Sequence, residues 1–164
     1  RAAVTRVVCV LEGGNRAVVE VHRAPIKAIG RMREKLAKYA PPSSKAEWPL
    51  AANILDPLRA SVVANGPSQM FQVIRWFMEA HQLELPGSCG ALRVVRVKNG
   101  FAESAAEAAV DGYRDVKLSV LLTAPELGGL RVVGEVQVHD RVLHGLKRQM
   151  HPLYRITRAK GPDV

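Results

Sequence analysis

The sequence is poor in cysteine, in aromatic side chains and in acidic residues. Cys9 and Cys89 are the two cysteines among 164 residues, and neither belongs to a C-x-x-C pair. This pattern excludes a disulfide scaffold and a zinc ribbon and predicts two reduced packing thiols. No apolar run approaches the roughly 20 residues that span a bilayer, since the longest, Val116 to Ala124, contains Lys117, Ser119 and Thr123. We therefore expect no transmembrane helix and no membrane partner.

The chain begins at Arg1 and has no charged, apolar and small-residue pattern of a signal peptide. We interpret it as a piece of a longer protein with an intracellular location. Apolar residues make up 48% and charged residues 24%, which is enough to build a core and is unlike disordered segments. The length predicts one domain over residues 1–164.

Basic residues outnumber acidic ones by 24 to 15, which gives a formal net charge of +9. A positive field of this size attracts polyanions such as nucleotides or RNA. Basic surfaces also occur on proteins that bind no anion, so the charge alone does not choose among these functions.

The hydrophobic pattern predicts an α+β fold in which helices flank a mixed β-sheet. Residues 1–22 contain two β-branched runs around Gly13-Gly14, which predicts an N-terminal β-hairpin. Helical periodicity predicts a helix from Pro25 to the prolines at 41–42, and a second after Pro67 with an apolar core stripe. That stripe consists of Met70, Phe71, Ile74, Phe77 and Met78.

The remaining strands are predicted from alternating or continuous apolar runs, at Arg59–Ala64, Leu92–Val97, Tyr113–Leu122 and Leu130–His139. A closing helix carries Val142, Leu143, Leu146 and Met150 and is predicted to end at Pro152.

Polar side chains alternate with valines on the last predicted strand. Glu135, Gln137 and His139 face one way, while Val136 and Val138 face the core. Antiparallel pairing through the Gly128-Gly129 turn is predicted to bring the face that carries Tyr113 beside the face that carries Glu135. A carboxylate, cations and an aromatic ring would then lie together. A solvated face of an edge strand is the structural alternative.

Several segments, in this order, resemble the nucleotidyltransferase domain of RelA/SpoT-type guanosine tetraphosphate synthetases, in a divergent branch with Gly-Tyr-Arg-Asp. The resemblance covers about residues 25–158 and is carried by Lys27-Ala28-Ile29…Lys35, Ile54-Leu55-Asp56-Pro57-Leu58-Arg59-Ala60-Ser61-Val62-Val63, Val97-Lys98-Asn99-Gly100-Phe101, Gly112-Tyr113-Arg114-Asp115, Glu135-Val136-Gln137-Val138 and His151-Pro152-Leu153-Tyr154…Arg158.

The resemblance implies a nucleotidyltransferase-like fold and Mg²⁺-dependent transfer of pyrophosphate from ATP to the 3′-hydroxyl of GDP or GTP. It implies that Glu135 is a catalytic carboxylate or metal ligand with Gln137 beside it, and that Tyr113 stacks on the guanine. Asp56 would be the second catalytic and metal-binding carboxylate. Further substrate-binding residues would be Arg59, Lys98, Lys27, Arg31, Lys35 and Arg114.

The sequence departs from the family pattern at the first metal-binding aspartate. That position, five residues before Arg59, is Ile54, and the nearest carboxylate is Asp56, three residues before Arg59. Two alternatives therefore stay open. One is a catalytically degenerate module that binds nucleotides or RNA, and the other is a pyrophosphotransferase that acts on tRNA. The sequence makes no prediction about the oligomeric state.

Overall fold

A computed structural model describes residues 4–40, 48–80, 90–104 and 113–158, with side chains up to residue 150. These residues contain six strands, three α-helices and two short 3₁₀ helices. The α-helices and strands are β1 (Val4–Val10), β2 (Arg16–Arg23), α1 (Ile29–Tyr39), β3 (Leu58–Ala64), α2 (Gly66–Glu79), β4 (Ala91–Asn99), β5 (Val116–Ala124), β6 (Leu130–Asp140) and α3 (Arg141–Arg158); the 3₁₀ helices are Leu50–Asn53 and Pro125–Leu127.

The strands form one mixed sheet in the order β1-β2-β3-β6-β5-β4. The central pair, β3 and β6, is parallel, and the other four pairs are antiparallel. The chain reaches β6 only after α2, β4 and β5, because two parallel strands require a long crossover connection. The predicted α+β fold with a mixed sheet, flanking helices and an N-terminal hairpin is confirmed.

One face of the sheet is the apolar core, and α2 packs on it. The valines, leucine and alanine that face α2 come from every central strand, which follows from the two-residue period of side chains along a strand. The most deeply buried are Ala64, Leu118 and Val138, and the core also includes Val62, Val116, Val120 and Val136. The predicted inward alternation of Val116, Leu118 and Val120 is confirmed.

Asp140 connects the end of β6 to two helix starts. Its Oδ1 accepts hydrogen bonds from the backbone N–H groups of Val142 (2.8 Å) and Leu143 (3.3 Å), the donors that a helix leaves without an internal partner. Its Oδ2 accepts the N–H of Gly66, whose φ of 76° suits glycine. One carboxylate therefore fixes where α3 leaves the sheet and where α2 begins.

Two predicted helix boundaries are wrong. The helix α1 begins at Ile29 rather than at Pro25, because the N–H of Lys27 donates to the carbonyl of Pro57 and holds the preceding segment beside the approach to β3. The helix α3 continues through Pro152 to Arg158. A proline removes a single hydrogen bond from a helix and can bend it without ending it.

The predicted apolar stripe of α2 is partly wrong. Met70 and Val73 are buried, and Ile74 and Phe77 pack against the core, but Phe71 is 63% exposed and Met78 is 46% exposed. The last two residues lie on the flank of the helix, because a single sheet face covers less of the helix surface than the full apolar stripe spans.

The structure also bears on the predictions about the two cysteines and about membrane-spanning helices. Cys9 is a free cysteine whose Sγ lies 3.4 Å from the carbonyl oxygen of Ala17, and Cys89 lies outside the described residues. None of the helices in the described part of the chain has the length and apolar character needed to cross a bilayer.

The burial pattern predicts a large difference between two apolar truncations. Leu118→Ala should lower the free energy of unfolding by about 2–5 kcal/mol, because Leu118 is fully buried and its loss leaves a cavity. Phe71→Ala should cost less than about 1 kcal/mol, because that ring is mostly exposed. Urea titrations of both variants measure the difference, and equal losses would contradict the described packing of α2.

Candidate functional site

The sheet face opposite α2 is polar, and its side chains follow the strand register. Glu135, Gln137 and His139 alternate on this face of β6, as predicted. Residues paired directly across neighbouring strands share a face. Glu135 is paired with Arg59 on β3 and with Ser119 on β5, and Ser119 is paired with Arg96 on the edge strand β4. The half-buried carboxylate of Glu135 therefore lies in a row that has an arginine on each side.

The next row along the sheet is centred on Gln137. Its register partners are Ser61 and Lys117, and Lys98 is the partner of Lys117. Gln137 Nε2 donates to Glu135 Oε1 at 2.7 Å, and Gln137 Oε1 accepts from Lys147 of α3 at 3.4 Å. The glutamine thus orients the Glu135 carboxylate and connects it to α3.

A pocket of about 440 Å³ lies between α3 and this polar face, and we call it the α3 pocket. Its lining contains three cationic side chains, two histidines and no carboxylate. The lining residues are Ala24, Arg59, Ser61, Gln137, His139, His144, Lys147 and Arg148. Such a lining attracts an anionic ligand.

A second pocket, of about 750 Å³, lies beside α1 and is called the α1 pocket. Its lining includes four cationic side chains, from α1 and the segment before it: Lys27, Arg31, Lys35 and Lys38. The lining also contains Arg59 and two carboxylates, those of Glu34 and Asp56. Arg59 lines both pockets, so its guanidinium group lies where a ligand in one pocket would approach a ligand in the other.

Asp56 precedes β3 instead of lying on it, and two lysines hold it. Lys27 donates to its Oδ2, and Lys35 donates to its Oδ1 at 2.9 Å. Burial raises the pKa of Asp56, but the hydrogen bonds from the two lysines outweigh this effect and keep the pKa below its usual range. Asp56 therefore lies in the segment before β3 as the partner of two lysines, while Glu135 lies on β6.

A divalent metal does not fit these carboxylates as they are arranged. Both oxygens of Asp56 accept hydrogen bonds from ammonium groups, and Glu135 accepts one from Gln137. Magnesium prefers free carboxylate oxygens in a near-octahedral arrangement. Within the described residues, no three histidine, cysteine, aspartate or glutamate side chains lie close enough to hold a metal ion.

Tyr113 lies on the predicted face, but beside His139 rather than Glu135. Its hydroxyl forms a hydrogen bond with His139 Nδ1, and the ammonium of Lys147 lies 4.3 Å from the centre of its ring. This distance is within the range of a cation–π contact. His139 is fully buried, and its Nε2 has no hydrogen-bond partner among the described residues.

His139 and His144 are neutral in the folded protein. Their rings lie 5.2 Å apart. Burial, followed by the nearby charge of Lys147, lowers the pKa of His139 to about 3. Burial and the neighbouring His22 lower the pKa of His144 to about 4. At neutral pH both imidazoles are therefore uncharged hydrogen-bonding groups.

Two predicted substrate-binding cations have partners within the protein. Arg114 Nη1 donates to the backbone carbonyls of Gly100 and Glu103, both at 2.7 Å, and so holds the turn after β4. Lys98 forms an ion pair with Glu103 at 2.9 Å. Residues 105–112, between these two cations in the sequence, lie outside the described part of the chain.

Sequence analysis missed Ser61, Lys147 and Arg148 as pocket residues. The sequence signal for α3 was its apolar residues, Val142, Leu143, Leu146 and Met150. In the structure Val142 and Leu146 are exposed, and the polar side of the helix, with Lys147 and Arg148, lines the pocket. His144 and Arg148 are four residues apart and therefore lie on the same side of the helix. This spacing was the sequence signal that a polar side of α3 could face the polar side of the sheet.

The fold resembles solved structures of alarmone synthetases. Small alarmone synthetase 1 from Bacillus subtilis, bound to its product pppGpp, matches with a TM-score of 0.59 and 17% identity over 87% of this chain and 64% of that one. Small alarmone synthetase 2 from the same organism matches with a TM-score of 0.60 and 16% identity over 88% of this chain and 66% of that one. A GTP pyrophosphokinase family protein from Streptococcus pneumoniae matches with a TM-score of 0.55 and 16% identity over 88% of this chain and 60% of that one.

These comparisons establish the fold class. The chain has the α+β fold of the small alarmone synthetases and spans 60–66% of the length of the three structures. No family model and no curated protein matches the sequence. At this level of identity, the likeness concerns architecture, and function has to be argued from the residues of this chain.

The neutral histidines predict a loss of stability in mild acid. Unfolding releases His139 to its ordinary pKa of 6.5, so the unfolded chain binds more protons between pH 6.5 and about 3. The free energy of unfolding should therefore fall as the pH falls below 6.5, by up to about 1.4 kcal/mol per pH unit from His139.

Urea titrations from pH 8 to pH 5 measure this slope. Over this range Glu20 and Asp56, whose pKa values are lowered, keep their charge. The variant His144→Gln should show a smaller slope, because one of the two neutral histidines is gone. A stability that does not change between pH 7 and pH 5 would contradict the burial of this pair.

Proposed function

We propose that this chain is a RelA/SpoT-like domain that transfers pyrophosphate from ATP to the 3′-hydroxyl of GDP or GTP. The observation that carries the proposal is the position of Arg59. It lines both cationic pockets and is the register partner of Glu135. A donor and an acceptor in the two pockets would meet at one carboxylate and one guanidinium group.

The α1 pocket suits the polyphosphate of the donor. Its cations Lys27, Arg31 and Lys35 are those predicted to hold phosphates, and phosphoryl transfer depends mainly on positioning and on neutralising charge. A solved structure of small alarmone synthetase 1 bound to AMPCPP is among the proteins of similar fold. We assign ATP to this pocket.

The α3 pocket suits the acceptor. Tyr113 is not part of the lining, but its hydroxyl forms a hydrogen bond with His139, which is, so its ring would offer an aromatic surface for guanine next to the pocket. Lys147, Arg148 and Arg59 supply the positive charge for the phosphates of GDP or GTP. Lys98 and Arg114 remain predicted substrate contacts at the same end of the sheet, and each would first leave or share its protein partner.

The chemical step assigns one role to each central residue. Glu135 accepts the proton of the 3′-hydroxyl as the oxygen attacks the β-phosphorus of ATP. A new bond forms between the 3′-oxygen and the β-phosphorus. The bond between the β-phosphorus and the oxygen that bridges the α- and β-phosphates breaks, and AMP leaves with that oxygen. Arg59 stabilises the charge on the transferred group, and Gln137 holds the Glu135 carboxylate in place.

Magnesium remains a prediction of the resemblance. The assigned ligands are Glu135 and Asp56, but Asp56 is held by Lys27 and Lys35. This arrangement also favours a second function, a nucleotide-binding module of the same fold that does not catalyse transfer.

Removal of the Glu135 charge separates these functions. Glu135→Gln should lower the rate of transfer by about 10²-fold or more, which is the usual contribution of a positioned general base. Nucleotide binding should change little, because the amide keeps the size and polarity of the side chain. The assay follows labelled phosphate from ATP to GDP, and calorimetry measures nucleotide binding.

The matched control is Glu126→Gln, which makes the same change on the 3₁₀ helix beyond the far end of β5. It should leave the rate unchanged. Equal rates for the Glu135 variant and the parent would show that Glu135 is not the base. If the parent binds nucleotides but transfers no label, the chain is the non-catalytic nucleotide-binding module. If the label appears on added tRNA and not on GDP, the acceptor is RNA.

A further inference from the structure

The α1 pocket contains a carboxylate between two lysines. The Oδ2 of Asp56 accepts from Lys27, and its Oδ1 accepts from Lys35 at 2.9 Å. The three side chains are largely buried, with 13%, 15% and 31% exposure for Lys27, Asp56 and Lys35. An ion cluster that is shielded from water interacts more strongly than a surface pair.

This cluster places a negative charge where the proposed function places phosphates. An anion that enters the α1 pocket meets two ammonium groups that already have a carboxylate partner. Arg31, on the same side of the pocket, is also paired, with Glu34 at 2.6 Å, but both of those side chains are more than half exposed. The interaction of Asp56 with its lysines is therefore the stronger obstacle to an incoming anion.

The position of Asp56 in the chain leaves its carboxylate separable from the lysines. It lies in the segment before β3, outside the sheet ladder, and within the described residues its side chain accepts hydrogen bonds from Lys27 and Lys35. A rotation of this side chain would release both ammonium groups without breaking a strand pair.

We propose that Asp56 is an internal competitor for polyphosphate in the α1 pocket. Its carboxylate occupies the Lys27 and Lys35 ammonium groups in the empty protein, and the phosphates of a ligand replace it. The affinity of the pocket then reflects the exchange of one anion for another. This inference rests on the proposed function in taking polyphosphate as the ligand, and it gives Asp56 a role different from that of a metal ligand.

The test uses the full chain and inorganic tripolyphosphate, with binding measured by calorimetry in EDTA and again with magnesium. Asp56→Asn removes the competing charge and leaves a side chain of the same shape. Tripolyphosphate should bind about fivefold more tightly or better in EDTA, since the freed ammonium groups face the ligand alone. The control Glu79→Gln makes the same charge change on α2, across the sheet, and should have no such effect.

Three outcomes would overturn the proposal. Unchanged affinity in EDTA combined with weaker binding in magnesium would make Asp56 a metal ligand. Weaker binding in both buffers would make it a residue that only orients the lysines. Absence of binding to both the parent and the variant would remove the anion site.

Asp56→Ala serves as a second variant and should also bind more tightly, so that a folding defect specific to the asparagine variant does not decide the result. The test is independent of the transfer reaction. Tighter binding to the variants without any transfer by the parent would leave the inference in place and remove the catalytic proposal. Transfer by the parent, without tighter binding of tripolyphosphate to the variants, would support the catalytic proposal and remove the inference about Asp56.

Discussion

The parallel pairing of β3 with β6 is the constraint on which the site depends. It places Arg59 directly beside Glu135 on the polar face, while Val62 and Val138 share the opposite face with the core. A shift of one residue in this register would turn Glu135 toward α2 and bury a carboxylate in the core. Core packing and the position of the candidate catalytic groups are therefore fixed by the same register.

The strands could be predicted because their apolar residues have clear periods. The β6 segment, with valines at 136 and 138 between polar residues, indicated both the strand and its polar face. The boundaries of α1 and α3 could not be predicted. They depend on a contact between Lys27 and Pro57, 30 residues apart in sequence, and on a helix that continues past Pro152.

The candidate site was only partly visible in the sequence. Residues on β3 and β6 were found through strand alternation and resemblance, but Asp56 was assigned as a metal ligand because spacing does not reveal which partner a carboxylate has. In the structure, two lysines from a segment about 20 to 30 residues earlier reach it. The pocket side of α3 was missed because its exposed apolar stripe gave a stronger periodic signal than Lys147 and Arg148.

The central claim is that two ligand pockets meet at Arg59, and Arg59→Gln tests it most directly. Calorimetry would measure the binding of a non-hydrolysable ATP analogue and of GDP separately, with Arg93→Gln on the exposed edge strand as the control. The account predicts that both ligands lose affinity, each by about tenfold, because each loses a charge-assisted hydrogen bond. Loss of affinity for a single ligand, or for neither, would contradict it.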